Sequence, residues 1–275
     1  MTATAPSRPA ELPSLATTSL SRGSLELKQF MRDRRSMVFT FALPLILLLI
    51  FGSIFNKDIV PGVTFSEYFV AGMIASGLVY TGFQNLAIVI PQEREDGTMK
   101  RLAGTPLPKA AYFLGKGALV LVSLVVQVAA LLLIGVLFFK VHLPSTPEKW
   151  FTFIWLLILG LVCCTLLGIA FSSVPKTARG APALVSPVVL VLQFISGVFI
   201  IYAQLPHWMR QIAALFPLKW LCQGMRSVFL PDSFQVQETA HAWELGKVAL
   251  VLGIWIVIGV VLCRFTFHWQ RANEH

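Results

Sequence analysis

Six long apolar runs dominate this chain, at residues 37–55, 68–90, 114–139, 151–173, 183–201 and 248–267. A hydrocarbon core about 30 Å thick is crossed by roughly 20 helical residues. Inside it every backbone N–H and C=O must be paired within the segment, so each run reads as a transmembrane helix. Pro44 and Pro187 fall inside runs, where proline is tolerated, and Trp150 and Trp155 mark one end of the fourth. Charged residues make up 13% of the chain, against about 25% in soluble domains. The fold class that follows is all-α and integral to a membrane, with six transmembrane helices and little mass outside the bilayer.

Lys and Arg set the orientation. With the N-terminus inside, the segments on the cytosolic side hold 15 Lys and Arg and those outside hold 7. Both termini are therefore expected in the cytosol, in a multi-pass protein of the cell membrane. The net charge of +9 follows this topology and gives no sign of a nucleic-acid partner. Residues 1–23 lack the apolar core of a signal peptide and read as a disordered cytosolic tail ahead of a membrane domain at 24–275. The four cysteines lie in or beside apolar runs without metal or disulfide spacing, so they read as small packing residues.

Three polar or amphipathic stretches interrupt the apolar pattern. The first, 91–108, reads PQEREDGTMKRLAGTPLP. Glu93, Arg94, Glu95, Asp96, Lys100 and Arg101 keep it in water, and its acids precede its bases, the order that suits a helix dipole. A short helix over 93–102 is expected. The second, 24–36, puts Leu27, Phe30 and Met31 on one helical face, with Ser24 as N-cap. It reads as an amphipathic helix on the inner leaflet, with Arg32, Arg34 and Arg35 near lipid phosphates. The third, about 205–229, holds two apolar pieces separated by Pro217, each too short to span. It is expected to form a re-entrant helix pair before the last span.

The motif E-R-E-x-G-T at 93–98, followed by Leu102 and Thr105-Pro106-Leu107 after the second span, resembles the ABC-2 type permeases. These are the membrane subunits of ATP-driven exporters. The order of amphipathic helix, six spans, polar helix between spans two and three and re-entrant pair extends the resemblance over the whole chain. It implies that Glu93, Arg94, Glu95, Asp96, Gly97, Thr98, Lys100, Arg101 and Leu102 form a coupling helix docked on an ABC ATPase. It also implies two ATPase copies, carrying ATP and Mg, and a second permease, identical or related. Within the family the chain looks most like drug and antibiotic exporter permeases of the daunorubicin-resistance type, with polysaccharide and lipid-linked glycan permeases as the alternative.

No phosphate-binding loop of the form G-x-x-x-x-G-K-[ST] occurs, so ATP is expected on a partner and not on this chain. No zinc-protease or nucleophile-elbow motif occurs either. His207 has no second ligand at metal spacing, so no metal or cofactor site and no catalytic residue is assigned. A membrane-embedded enzyme or a scaffold is the reading from another class. The polar residues at depth are neutral: Gln84, Asn85, Gln127 and Gln193 are candidates for a pathway that meets an amphipathic substrate, against ordinary interhelical hydrogen bonding.

Overall fold

The computed structural model describes residues 14–55, 57–105 and 107–266. Helix α1 (Leu15–Arg32) starts behind Ser14, whose hydroxyl accepts the Thr17 N–H. The expectation of a disordered tail to residue 23 therefore fails for 14–23, and Ser24 lies inside the helix; residues 1–13 are outside the described set. The polar, Ser/Thr-rich sequence hid this helix because its support is tertiary: α1 packs along α6 (Lys109–Phe139).

Helix α2 (Arg34–Ile54) leads into a small hairpin, β1 (Asp58–Val60) and β2 (Val63–Thr64), which the all-α expectation omits. Gly62, at φ +81°, turns it. Thr64 and Glu67 then form a reciprocal capping box that opens α3 (Phe65–Leu78). The helical path continues through a π-helical segment, Val79–Gln84, into α4 (Asn85–Glu95). After a break comes α5 (Thr98–Ala103), and after α6 come α7 (Pro147–Phe171), α8 (Gly180–Ile195), α9 (His207–Ala214), α10 (Pro217–Phe229) and α11 (Leu245–Thr266).

Among the described residues, four helical runs are long and apolar enough to cross a bilayer: Phe65–Glu95, Ala110–Phe139, Pro147–Phe171 and Leu245–Thr266. Two apolar helices, Thr40–Ile54 and Gly180–Ile195, are shorter. The apolar run at 183–201 overestimates its helix because Gly197 adopts φ +82° and ends it. At 16 residues, α8 is about 24 Å long.

The core gathers around α3 and α10. Phe69, Ile74 and Leu78 of α3 pack with Leu156 and Cys163 of α7 and with Leu221 and Met225 of α10. All 13 residues of α10 are buried. Small residues let backbones meet: a Cβ on Gly168 of α7 would stand 2.6 Å from the Gly82 carbonyl oxygen of the π segment. Outward, Leu250, Ile254, Val257, Val261 and Phe265 form an exposed apolar stripe on α11 that suits lipid as solvent. Successive long helices alternate direction. One end of the bundle therefore carries α5 and the basic segments (the basic end), and the other carries the hairpin and residues 230–244 (the far end).

Candidate functional site

At the basic end, α1, α4 and α6 meet in a buried ionic cluster. Lys116 of α6 is wholly buried, and its Nζ lies 2.7 Å from Glu26 Oε2 of α1 and 2.5 Å from Glu93 Oε1 of α4. The Tyr112 hydroxyl donates to Glu93 Oε2 at 2.7 Å. Arg22 pairs with Glu26 and stands 3.9 Å from Glu93. Two carboxylates thus face two cations, the arrangement in which buried charges are tolerable. Close packing admits the cluster: a Cβ on Gly115 would meet Arg22 Cγ at 2.6 Å, and one on Gly23 would meet Ala118 Cβ at 3.1 Å. The buried face of α1 is thus Arg22, Gly23 and Glu26, while Leu20, Leu25 and Met31 are exposed. Arg32 and Arg34 are exposed; the Arg35 side chain is outside what is described.

The expected single helix over 93–102 is two pieces. Helix α4 ends at Glu95, Gly97 takes φ +73°, and α5 begins at Thr98. Only Gly97 in this stretch adopts that conformation without steric cost, and the turn redirects the chain across the end of the bundle. Met99 is fully buried and packs with Leu86, Ile90 and Tyr112, while Leu102 and Leu107 lie partly buried against them. Arg94 donates to the Ser172 carbonyl at 3.4 Å. Glu95 accepts the Ala178 N–H at 2.5 Å, which ties the end of α4 to the turn before α8. Asp96, Lys100, Arg101 and 103–105 are exposed. Of the predicted coupling residues, Glu93 and Arg94 therefore face inward, Gly97, Thr98 and Leu102 are partly covered, and Glu95, Asp96, Lys100 and Arg101 are exposed, Glu95 being tied to the Ala178 N–H while the other three form the presented surface.

The four neutral polar candidates do not converge on one spot. Gln84 and Asn85 line a groove of about 310 Å³ together with Thr40 and Pro44 of α2, Tyr80 and Gln92. The π-helical segment helps to aim them there: its extra residue per turn shifts the register between α3 and α4. Gln193 of α8 is fully buried and accepts the Tyr80 hydroxyl at 3.2 Å. Gln127 of α6 is buried against Gly77 of α3, and neither atom of its amide finds a protein partner among the described residues.

The far end holds a second polar cluster. The turn between α9 and α10 reaches half-way along α11: Phe216 stacks on Trp255 at 6.4 Å, and Trp255 Nε1 donates to the Leu215 carbonyl. From there α10 climbs back toward the far end. Its Arg226, 0% exposed, is bound by Glu238 through Nε at 2.6 Å and Nη2 at 3.2 Å. Sequence reading missed Glu26, Tyr112, Lys116 and the Arg226–Glu238 pair as partners. An i,i+4 Arg22–Glu26 pair is visible in sequence, but the contacts to Lys116 and Glu238 join segments 90 and 12 residues apart, where no local pattern reports them. Among the described residues no group of His, Cys, Asp or Glu is arranged to hold a metal ion.

Comparison with known proteins agrees with this architecture. The profile of the ABC-2 type transporter family matches residues 23–230, from the middle of α1 through α10. A protein of Porphyra purpurea named as a transport permease, ycf38, is 24% identical over 236 residues, 80% of each chain. An amphipathic helix clamped to the membrane bundle, a broken polar helix between two long apolar ones and a short helix pair before α11, of which α10 is buried, all lie in or beside the matched stretch, and the chain belongs to the ABC-2 type transporter family.

Proposed function

We propose that this chain is the permease subunit of an ATP-driven exporter, powered by a separate ATPase that docks on Asp96, Lys100, Arg101 and 103–105 at the cytosolic, basic end. The observation that carries this reading is the way α5 is held. It is exposed on one side, pinned by Met99 on the other, and joined through α4 to the Lys116 cluster. A push on α5 is therefore delivered to α4, α6 and α1 together, as a rigid contact between an ATPase and the membrane helices requires. Two ATPase copies, carrying ATP and Mg, and a second permease copy complete the proposed assembly.

The substrate that fits is an amphipathic drug-like, antibiotic-like or lipid-like molecule. The groove between α2 and the π-helical segment supports this: it combines Gln84, Asn85, Tyr80 and Gln92 with the apolar Leu43, Ile88 and Val89. Such a wall offers hydrogen bonds without fixed charge, which suits an amphiphile better than a bare ion.

The test is Lys100→Glu with Arg101→Glu. Both residues are exposed, so membrane abundance stays normal while ATPase co-purification and export fall together. A docking contact that becomes desolvated is worth about 2–5 kcal/mol. Normal export and normal ATPase binding in this variant would refute the docking surface. Reversal of Glu93 is a poorer test, because it breaks the buried cluster whatever α5 touches.

A further inference from the structure

Lys219, Gln223 and Arg226 recur at i, i+4 and i+7, on one face of α10. Lys219 is 6% exposed, and its Nζ donates to Gln223 Oε1 at 2.5 Å. Aromatic faces complete its surroundings, with Trp220 3.6 Å and Tyr202 5.3 Å from Nζ to ring centroid. Among the described residues no carboxylate lies within ion-pair distance of Lys219, and Arg226 Nη1 is buried without a hydrogen-bond partner. Of the two carboxylates near this face, Glu238 contacts Arg226, while Glu244 bonds to Gln223 and Lys247 and acts on Lys219 only at longer range, so Lys219 is left without a carboxylate in contact, which is costly away from water.

That carboxylate belongs to a strap, 230–244, laid over this face. Gln223 Nε2 donates to the Trp243 carbonyl at 3.0 Å and to that of Ala242 at 3.3 Å. The Lys149 ammonium donates to the Leu230 carbonyl, and Trp243 Nε1 donates to Asp232. The strap is held under strain: His241 at φ +50° and Glu244 at φ +49° both sit in the left-handed region. It is a fastened cover and not a relaxed loop.

We propose that the Lys219–Gln223–Arg226 face of α10 binds the anionic head, phosphate or carboxylate, of a translocated amphiphile, and that Glu238 fills this site when it is empty. The proposal rests on the exporter reading above and adds the charge of the substrate. The arriving head displaces Glu238 from Arg226 and gains Lys219 as a second cation. The released strap relaxes at His241 and Glu244 and opens the far end. Tyr68, whose ring lies 5.1 Å from Arg226 Cζ, keeps the guanidinium in place during the exchange.

The experiment titrates dodecyl phosphate into the purified full chain in neutral maltoside micelles and reads heat. Glu238→Gln removes the internal competitor, so affinity rises at least about tenfold over the parent. Adding Lys219→Met to that variant abolishes the gain. Equal affinity in the parent and E238Q, or a gain that survives K219M, overturns the proposal. Where E238Q does not fold, the parent against K219M alone decides: weaker binding by K219M supports the site, and equal binding overturns it. Inorganic phosphate binding as tightly as dodecyl phosphate would overturn the assignment to an amphiphile. Equal competition by phosphatidylglycerol would assign the site to resident lipid and overturn the translocated ligand. The titration uses the permease alone, so its failure leaves the ATPase docking reading standing, and failure of the docking variant leaves the binding result standing.

Discussion

Lys116 Nζ on α6 lies 2.5 Å from Glu93 Oε1 on α4, two turns inside the helix that carries it and fully buried. With Glu26 on its other side, this one ammonium connects three helices that sequence separates widely. Replacing it with methionine leaves Glu26 and Glu93 facing each other with Arg22 as their main cation. Breaking a buried pair from one side costs about 3–5 kcal/mol. We expect Lys116→Met to lower the melting temperature markedly in detergent, and Lys116→Met with Glu93→Gln to recover part of the loss. A double variant no better than the single would show that Glu93 and Lys116 are not coupled.

Gly97 separates two roles that are usually confounded. A Cβ there meets nothing within 4 Å, so Gly97→Ala adds no clash and acts only through its φ of +73°. The left-handed penalty is about 1–2 kcal/mol, enough to disturb the path of the chain between α4 and α5 while the bundle stays folded. The expected outcome is near-normal abundance and thermal stability with reduced ATPase co-purification. Unchanged co-purification would mean that the orientation of α5 is not used in docking.

Lys219 gives a pH signature. Burial, with Arg226 adding to it, pushes its amine from 10.5 down to about 8. A lowered lysine value means that the unfolded chain holds the proton more tightly than the folded one. Between about pH 8 and 10 the unfolded state therefore carries more protons, and stability rises with pH. Melting temperature of the parent should climb across this window relative to Lys219→Met. A parallel course for the two proteins would show that the amine is not desolvated as described.

Gln193 tests the pathway. It is buried and bonded through Oε1 to the Tyr80 hydroxyl, while its Nε2 has no protein partner among the described residues. If it serves only to join α8 to the π-helical segment, Gln193→Leu changes stability by about 1 kcal/mol and nothing else. If it meets a substrate, the same variant alters which compounds stimulate ATP hydrolysis by the assembled complex. A substitution that shifts melting but leaves the compound profile intact would remove Gln193 from the pathway.

The helical, membrane-embedded character of this chain was legible because period and length are local properties: the apolar runs and the break at Pro217 appear in the amino-acid order itself. The ends of elements were less legible. Gly97 and Gly197 each end a helix through a positive φ, and glycine in sequence does not announce whether it will be used that way. Residues 15–23 read as disordered because their order comes from α6, almost 100 residues away. The candidate site divides along the same line. Charge in 93–101 was visible, but not that Glu93 turns inward while Lys100 and Arg101 stay exposed; that depends on Lys116 arriving from another helix.

The seat of Phe216 against Trp255 also imposes an order on biosynthesis. The pair α9–α10 leaves the ribosome before α11, yet its tip rests on a residue of α11 and its cations wait for Glu238. Before Glu238 and then Trp255 have been delivered, α10 can already pack on α3 and α7, but Arg226 lacks its carboxylate and the tip lacks its stacking partner. The α11 helix, beyond the stretch that the family profile covers, thus closes a seat that α3 and α7 have already begun.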